Sequence, residues 1–191
     1  MKSKMILVSG IPATGKTTFA KWLSGKLRVP HVCYDNILAK TLETAKRCCD
    51  EEEQIRNYFG EFPYEFLWFC IEEVMKSSSI VIVDYHFTDM MKQKLDEVTE
   101  KYQYDTITVH MDCPAKLAYE RWVERNKLDS MRPNISLEQF INGTKQNKDF
   151  RYGSHFVYVD ASDYSLLSYE DIFNQVRELV EVEGKLRCYM K

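Results

Sequence analysis

The sequence predicts an α/β fold built on a parallel sheet, and three observations carry that reading. Short apolar runs alternate with longer helical patterns along all 191 residues, the order expected when crossover helices join parallel strands. One run, Ile80-Val81-Ile82-Val83, is continuous and β-branched, as suits a strand buried on both faces. A glycine-bearing segment, residues 10–17, joins the first apolar run to the first helical pattern, which reads as a strand–loop–helix unit.

Five runs read as strands: Met5–Val8, His31–Tyr34, Ile80–Val83, Thr106–His110 and Phe156–Val159. Helices fill the gaps. Lys16–Leu27 follows the first strand, and Leu42–Phe59 carries Glu52 and Arg56 at the favourable i,i+4 order. Tyr64–Lys76 puts Leu67, Cys70, Ile71 and Val74 on one face. Asp89–Lys101 follows the third strand. Pro114–Glu124 opens with a proline suited to a first turn. Ser136–Thr144 opens on Ser136 and Gln139, a capping box, and Ser168–Val182 on the weaker pair Ser168 and Asp171. The chain, residues 1–191, is expected to form one domain.

Composition narrows the class. Hydrophobic residues make 45% and charged residues 29% of the chain, a balance that sets disorder aside. The net charge of -3 gives no global pull toward nucleic acid or an anionic membrane. No segment approaches a membrane span, and the first apolar run is too short for a signal peptide, so a cytoplasmic location is expected. The six cysteines show no CxxC spacing or zinc-type Cys/His pattern and read as reduced thiols.

Gly10-Ile-Pro-Ala13-Thr14-Gly15-Lys16-Thr17 fits G-x-x-x-x-G-K-[ST] at every fixed position. Each residue type has a job. Gly10 and Gly15 allow backbone angles closed to other residues and keep Cβ atoms out of the space phosphates would fill. Amides of residues such as Ala13, Thr14 and Thr18 would form an anion nest at a helix N-terminus. Lys16 would reach the β- and γ-phosphates, and Thr17 would offer a hydroxyl to Mg²⁺. The cofactors expected are therefore ATP and Mg²⁺, on a P-loop NTPase fold.

Three further features bear on what the phosphate is moved to. Asp35 follows the second strand, where a carboxylate could orient an acceptor hydroxyl and take its proton; a helix cap is the competing reading. Asp84 ends the third strand as a Walker B carboxylate would, serving Mg²⁺ or the acceptor; His86, two residues on, could line an acceptor site, although a lone loop histidine is more often a bystander. Arg121, Arg125 and Arg132 lie in a helix and the loop after it, ending at Arg132-Pro133; surface ion pairing is the competing reading.

With these motifs in this order, the chain resembles the P-loop small-molecule and nucleic-acid kinases, the group around shikimate kinase, gluconate kinase, chloramphenicol phosphotransferase, the zeta toxins and polynucleotide 5′-hydroxyl kinase. The resemblance implies a five-stranded parallel sheet flanked by helices, a helical LID at about 125–135 and acceptor-binding helices at about 36–77. It implies that Lys16, Asp35 and Arg132 are catalytic and that Arg125 contacts adenine or phosphate. It also implies that the turn Asp160-Ala161-Ser162 lies beside adenine. Several such kinases carry an arginine three residues after the first acid; here that place is Leu38, a departure that weakens any case for an acidic acceptor.

The function expected is an ATP-dependent kinase acting on a hydroxyl of a small molecule, as monomer or homodimer. The alternatives are a polynucleotide or RNA 5′-hydroxyl kinase, suggested by Lys145, Lys148 and Arg151 but opposed by the acidic run Asp50–Glu53, and an ATP-hydrolysing regulatory module. A nucleic-acid partner is thus less favoured than a small molecule.

Overall fold

The computed structural model describes residues 3–47, 61–126 and 135–181. Five strands, β1 (Ser3–Gly10), β2 (His31–Cys33), β3 (Ile80–Asp84), β4 (Tyr104–Asp112) and β5 (His155–Asp160), form one parallel sheet in the order β2-β3-β1-β4-β5. Between and after them run α1 (Lys16–Leu27), α2 (Tyr34–Ala45), α3 (Phe62–Met75), α4 (Lys92–Tyr102), α5 (Ala115–Asn126), α6 (Leu137–Asp149) and α7 (Tyr169–Glu181).

Both faces of the sheet are covered, which is why its central strands carry near-continuous apolar runs. On one face Ile6, Val8, Ile82 and Val109 pack with Phe19, Ala20 and Leu23 of α1 and with Ile172, Val176 and Val180 of α7. On the other, Met5, Leu7, Val81 and Val83 pack with Leu67, Trp68 and Ile71 of α3 and Leu95 of α4. Side chains alternate between the faces; burying each large one contributes about 1.5–3 kcal/mol. A third cluster, Ile11, Cys113, Ala118, Trp122 and Phe140, lies at the carboxyl end of the sheet and anchors α5 and α6 there.

The expected strands all form, most of them slightly longer than their apolar runs. The capping box also forms: Ser136 accepts from the Gln139 amide while the Gln139 side chain accepts from the Ser136 amide. One expectation is corrected. Tyr34 is the first helical residue and not the last of β2, and helix occupies Tyr34–Ala45, where the residue pattern predicted helix only from Leu42 and the family resemblance from about residue 36. Strand and helix meet there without an intervening loop, so no turn residue marks the boundary. Most of the expected Leu42–Phe59 helix lies outside the described residues. Asp89–Met91 forms a 3-10 turn that leads into α4.

Candidate active site

Because all five strands run the same way, their carboxyl ends share one edge of the sheet. Strand order reverses at β1, which lies between β3 and β4. That is where open α/β sheets form a crevice. The register puts Asp84 beside Val8 on one side and Cys33 on the other, and Gly10 beside Met111.

The loop leaving β1 is closely constrained. Gly10 has φ +124°, and a Cβ there would lie 1.9 Å from the Met111 carbonyl oxygen. Gly15 is left-handed at φ +86°, and Ala13 shares that region at φ +62°, where a residue with a Cβ is strained. Thr14 Oγ1 donates to the Ile11 carbonyl at 2.9 Å and Lys16 Nζ donates to the same oxygen at 2.8 Å. Gly15 then caps the N-terminus of α1 with no side-chain hydrogen bond to the helix, which leaves its first amides available to an anion. Thr18, in the first turn, is exposed.

Lys16 connects this loop to the acids. The residue is half-buried, and its ammonium is enclosed closely enough that desolvation lowers its pKa, against the opposing pull of Asp84 and Asp35 and with the help of Arg125. All three groups therefore act on one ammonium. Asp84 is 3% exposed. Burial raises its pKa, while a hydrogen bond with Thr17, the charge of Lys16, the ring of His31 and the thiol of Cys33 pull the other way. Asp84 thus faces the first hydroxyl of α1 across the base of the loop. A hydroxyl and a carboxylate so paired are hard oxygen donors of the kind Mg²⁺ takes. The constrained loop and this oxygen pair fit a magnesium-bound polyphosphate.

Asp35 lies in the first turn of α2, exposed beside an aromatic wall. Tyr34 packs edge-on against Tyr85 with ring centres 4.4 Å apart, and His86 lies 4.1 Å from Tyr85. Desolvation and then the charge of Lys16 lower the His86 pKa, against Asp35. The loop behind it is held from α6: Asn147, 3% exposed, donates to the carbonyls of His86 at 2.8 Å and Phe87 at 3.1 Å. Sequence reasoning passed over Tyr34, Tyr85 and Asn147, because an aromatic reads as core and an amide carries no motif.

On the other side of the loop, Arg121 from α5 donates to the carbonyls of Ala161 at 2.6 Å and Ser162 at 2.7 Å. Its guanidinium lies 4.0 Å over the ring of Tyr164, and Tyr164 Oη donates to the Ala13 carbonyl at 2.8 Å. The turn after β5 is thereby fastened to the phosphate loop, a connection for which the sequence offered only the Asp160-Ala161-Ser162 turn. Arg125, in the last turn of α5, lies within electrostatic range of both Lys16 and Tyr164. Arg132 and most of the expected LID lie outside the described residues.

Residues 6–142 match the family model AAA_18, described as an AAA domain. The chain belongs to the AAA_18 family. It has the P-loop kinase fold of that group. The L-seryl-tRNA(Sec) kinase of Methanococcus maripaludis is similar at 23% identity over 180 residues, covering 93% of this chain and 66% of that protein. The chain therefore spans just under two thirds of that relative. A shikimate kinase of Chlamydia muridarum is 25% identical over 144 residues, 73% of this chain and 72% of the kinase. A crystal structure from Chloroflexus aurantiacus superposes with TM-score 0.78 at 18% identity, over 93% of this chain and 98% of the other. Among the described residues of this AAA_18 member no helix is long and apolar enough to cross a membrane.

Proposed function

We propose that the chain is an ATP-dependent kinase that transfers the γ-phosphate to a hydroxyl of a small-molecule acceptor. The observation that carries the reading is the convergence on Lys16: one ammonium feels Asp84 from the magnesium side and Asp35 from the acceptor side. Relatives named as kinases of a seryl-tRNA and of shikimate support it.

Residues 10–18 would hold the phosphates, and Thr17 with Asp84 would hold Mg²⁺, which when bound offsets charge on the phosphate oxygens. Lys16 holds a positive charge where phosphoryl charge develops. Asp35 orients the acceptor hydroxyl and takes its proton as the oxygen attacks. Tyr34, Tyr85 and His86 wall the acceptor and exclude water that would otherwise compete for the phosphate. Arg125, and Arg132 from a closing LID, would add charge on the side away from the sheet.

A second reading places the acceptor hydroxyl on an RNA. It rests on the seryl-tRNA kinase relative and on exposed Phe156 and Tyr158 of β5, with Arg151 lying 4.5 Å over the Phe156 ring, a combination suited to stacked bases. One assay separates the readings. ATP consumption is measured with a metabolite pool, with a transfer-RNA pool and with neither, and the product is identified by mass. Turnover that rises with metabolites supports the first reading, and turnover that rises with RNA supports the second. A slow rate indifferent to both would leave an ATP-hydrolysing switch.

A further inference from the structure

Beside the proposed magnesium position lies a second constellation of different chemistry. His31 and Cys33 project from the same face of β2, two residues apart, and Asp84 stands in register with Cys33 on β3. Cys33 Sγ lies 3.5 Å from Asp84 Oδ2, and His31 Nε2 lies 4.0 Å from the same oxygen. One ligand atom from each residue falls within 4.8 Å of the other two. The His31 side chain is 12% exposed, and its Nε2 has no hydrogen-bond partner. A buried ring nitrogen left unpaired costs free energy, so its position asks for a cause.

We propose that His31, Cys33 and Asp84 form a binding site for a soft divalent cation of the Zn²⁺ type, and that the ion excludes Mg²⁺ by taking the Asp84 carboxylate. The spacing fits. With Zn–S about 2.3 Å and Zn–N and Zn–O about 2.0–2.2 Å, tetrahedral geometry puts sulfur and oxygen about 3.6 Å apart and nitrogen and oxygen about 3.4 Å apart. The first separation is already met at 3.5 Å, and the second needs the His31 ring to close from 4.0 Å. Sulfur and imidazole nitrogen select against Mg²⁺, which prefers oxygen.

The charges balance as well. On binding, the ion displaces the Cys33 proton to solvent, as coordinating thiols lose theirs, and the S–H bond gives way to S–Zn. Thiolate and carboxylate then offset the ion's two charges. Lys21 and Lys16 lie within electrostatic range of the cluster and work against it, so the soft ligands must supply the affinity. Three protein ligands leave one position for water. A zinc-loaded site would draw the Asp84 carboxylate's charge toward β2 and weaken it as a magnesium ligand beside Thr17. That consequence rests on the kinase reading; the site itself does not.

The test titrates the full chain, kept reduced with a phosphine, with Co²⁺ and then Zn²⁺ in the absence of nucleotide. One Co²⁺ per chain should appear with tetrahedral ligand-field bands and a thiolate-to-cobalt charge-transfer band, and Zn²⁺ should displace it. Cys33→Ser should lose the charge-transfer band, and His31→Gln should weaken binding at least tenfold. A cobalt spectrum unchanged in both variants, or no binding to the native chain, would overturn the site. In a second arm, calorimetry with Mg²⁺ and ATP should show at least tenfold weaker nucleotide binding to the zinc-loaded native chain, and no zinc effect in Cys33→Ser. Equal affinity with and without zinc would overturn the competition. Failure of the metal-free chain to bind nucleotide would overturn the kinase reading and leave the zinc site standing on its spectra.

Discussion

The proposed phosphate side and the proposed acceptor side share one edge of the sheet but are built by different means. The phosphate side is a single stretch of chain, residues 10–18, whose shape is set by backbone angles: positive φ at Gly10, Ala13 and Gly15 and two bonds onto the Ile11 carbonyl. The acceptor side is assembled from segments far apart in sequence. Asp35 comes from α2, Tyr85 and His86 from the end of β3, and Asn147 fastens the latter from α6. A local backbone device leaves no room for variation in its glycines. A pocket gathered from separate elements can change its walls one side chain at a time, and that is how one nucleotide site can serve many acceptors.

Lys16→Ala should give the largest effect and sharpen the contrast. Removing the ammonium on which Asp84 and Asp35 converge should cut acceptor-dependent turnover about 10³-fold, roughly 4 kcal/mol of barrier, in steady-state kinetics with saturating ATP. The fold should persist, because the side chain lost is only half-buried and lies outside the hydrophobic core.

Gly10→Ala should break the phosphate side through the backbone instead. A Cβ that meets the Met111 carbonyl oxygen at 1.9 Å cannot be absorbed by a rotamer change. We expect a loss of about 3 kcal/mol or more, read from the urea midpoint. A variant as stable as the native chain would show that the β1 exit is not clamped against β4.

A third effect concerns the floor shared by both sides. His110 on β4 is fully buried, with Nδ1 2.9 Å from the hydroxyl of Ser9, the residue before Gly10. Burial first and Arg151 second push its pKa down from 6.5 to about 4. The folded state therefore holds the ring neutral while the unfolded chain takes up a proton. This contribution is present above pH 6.5 and is lost as pH falls from 6.5 toward about 4, reaching on the order of 3 kcal/mol at most. Urea unfolding across that range should show stability falling with acidity, with a shallower fall in His110→Gln. Identical slopes would remove His110 from the account.

What could be read from the sequence follows the same division. The strand–loop–helix around residues 5–27 was legible because each glycine and the lysine has a job that few other residues can do. Asp84 was legible because it ends a run that must be buried. Tyr34 and Tyr85 gave no comparable signal, since they lie 51 residues apart and meet only because β2 and β3 are neighbours in the sheet; Arg121 was read as one of three arginines, without the carbonyls 40 and 41 residues on that it binds. The start of α2 was missed for a related reason: Cys33 passes into helix directly, and a strand that ends without a turn residue leaves no mark to read.

The central claim is that Asp35 serves the acceptor while residues 10–18 serve the nucleotide. Asp35→Asn keeps the shape and removes the base. Paired measurements on that variant, turnover with the true acceptor and calorimetric affinity for Mg²⁺ and ATP, should show turnover falling about 10²-fold or more with nucleotide affinity unchanged. Full turnover in Asp35→Asn, or an equal fall in nucleotide affinity, would contradict the account.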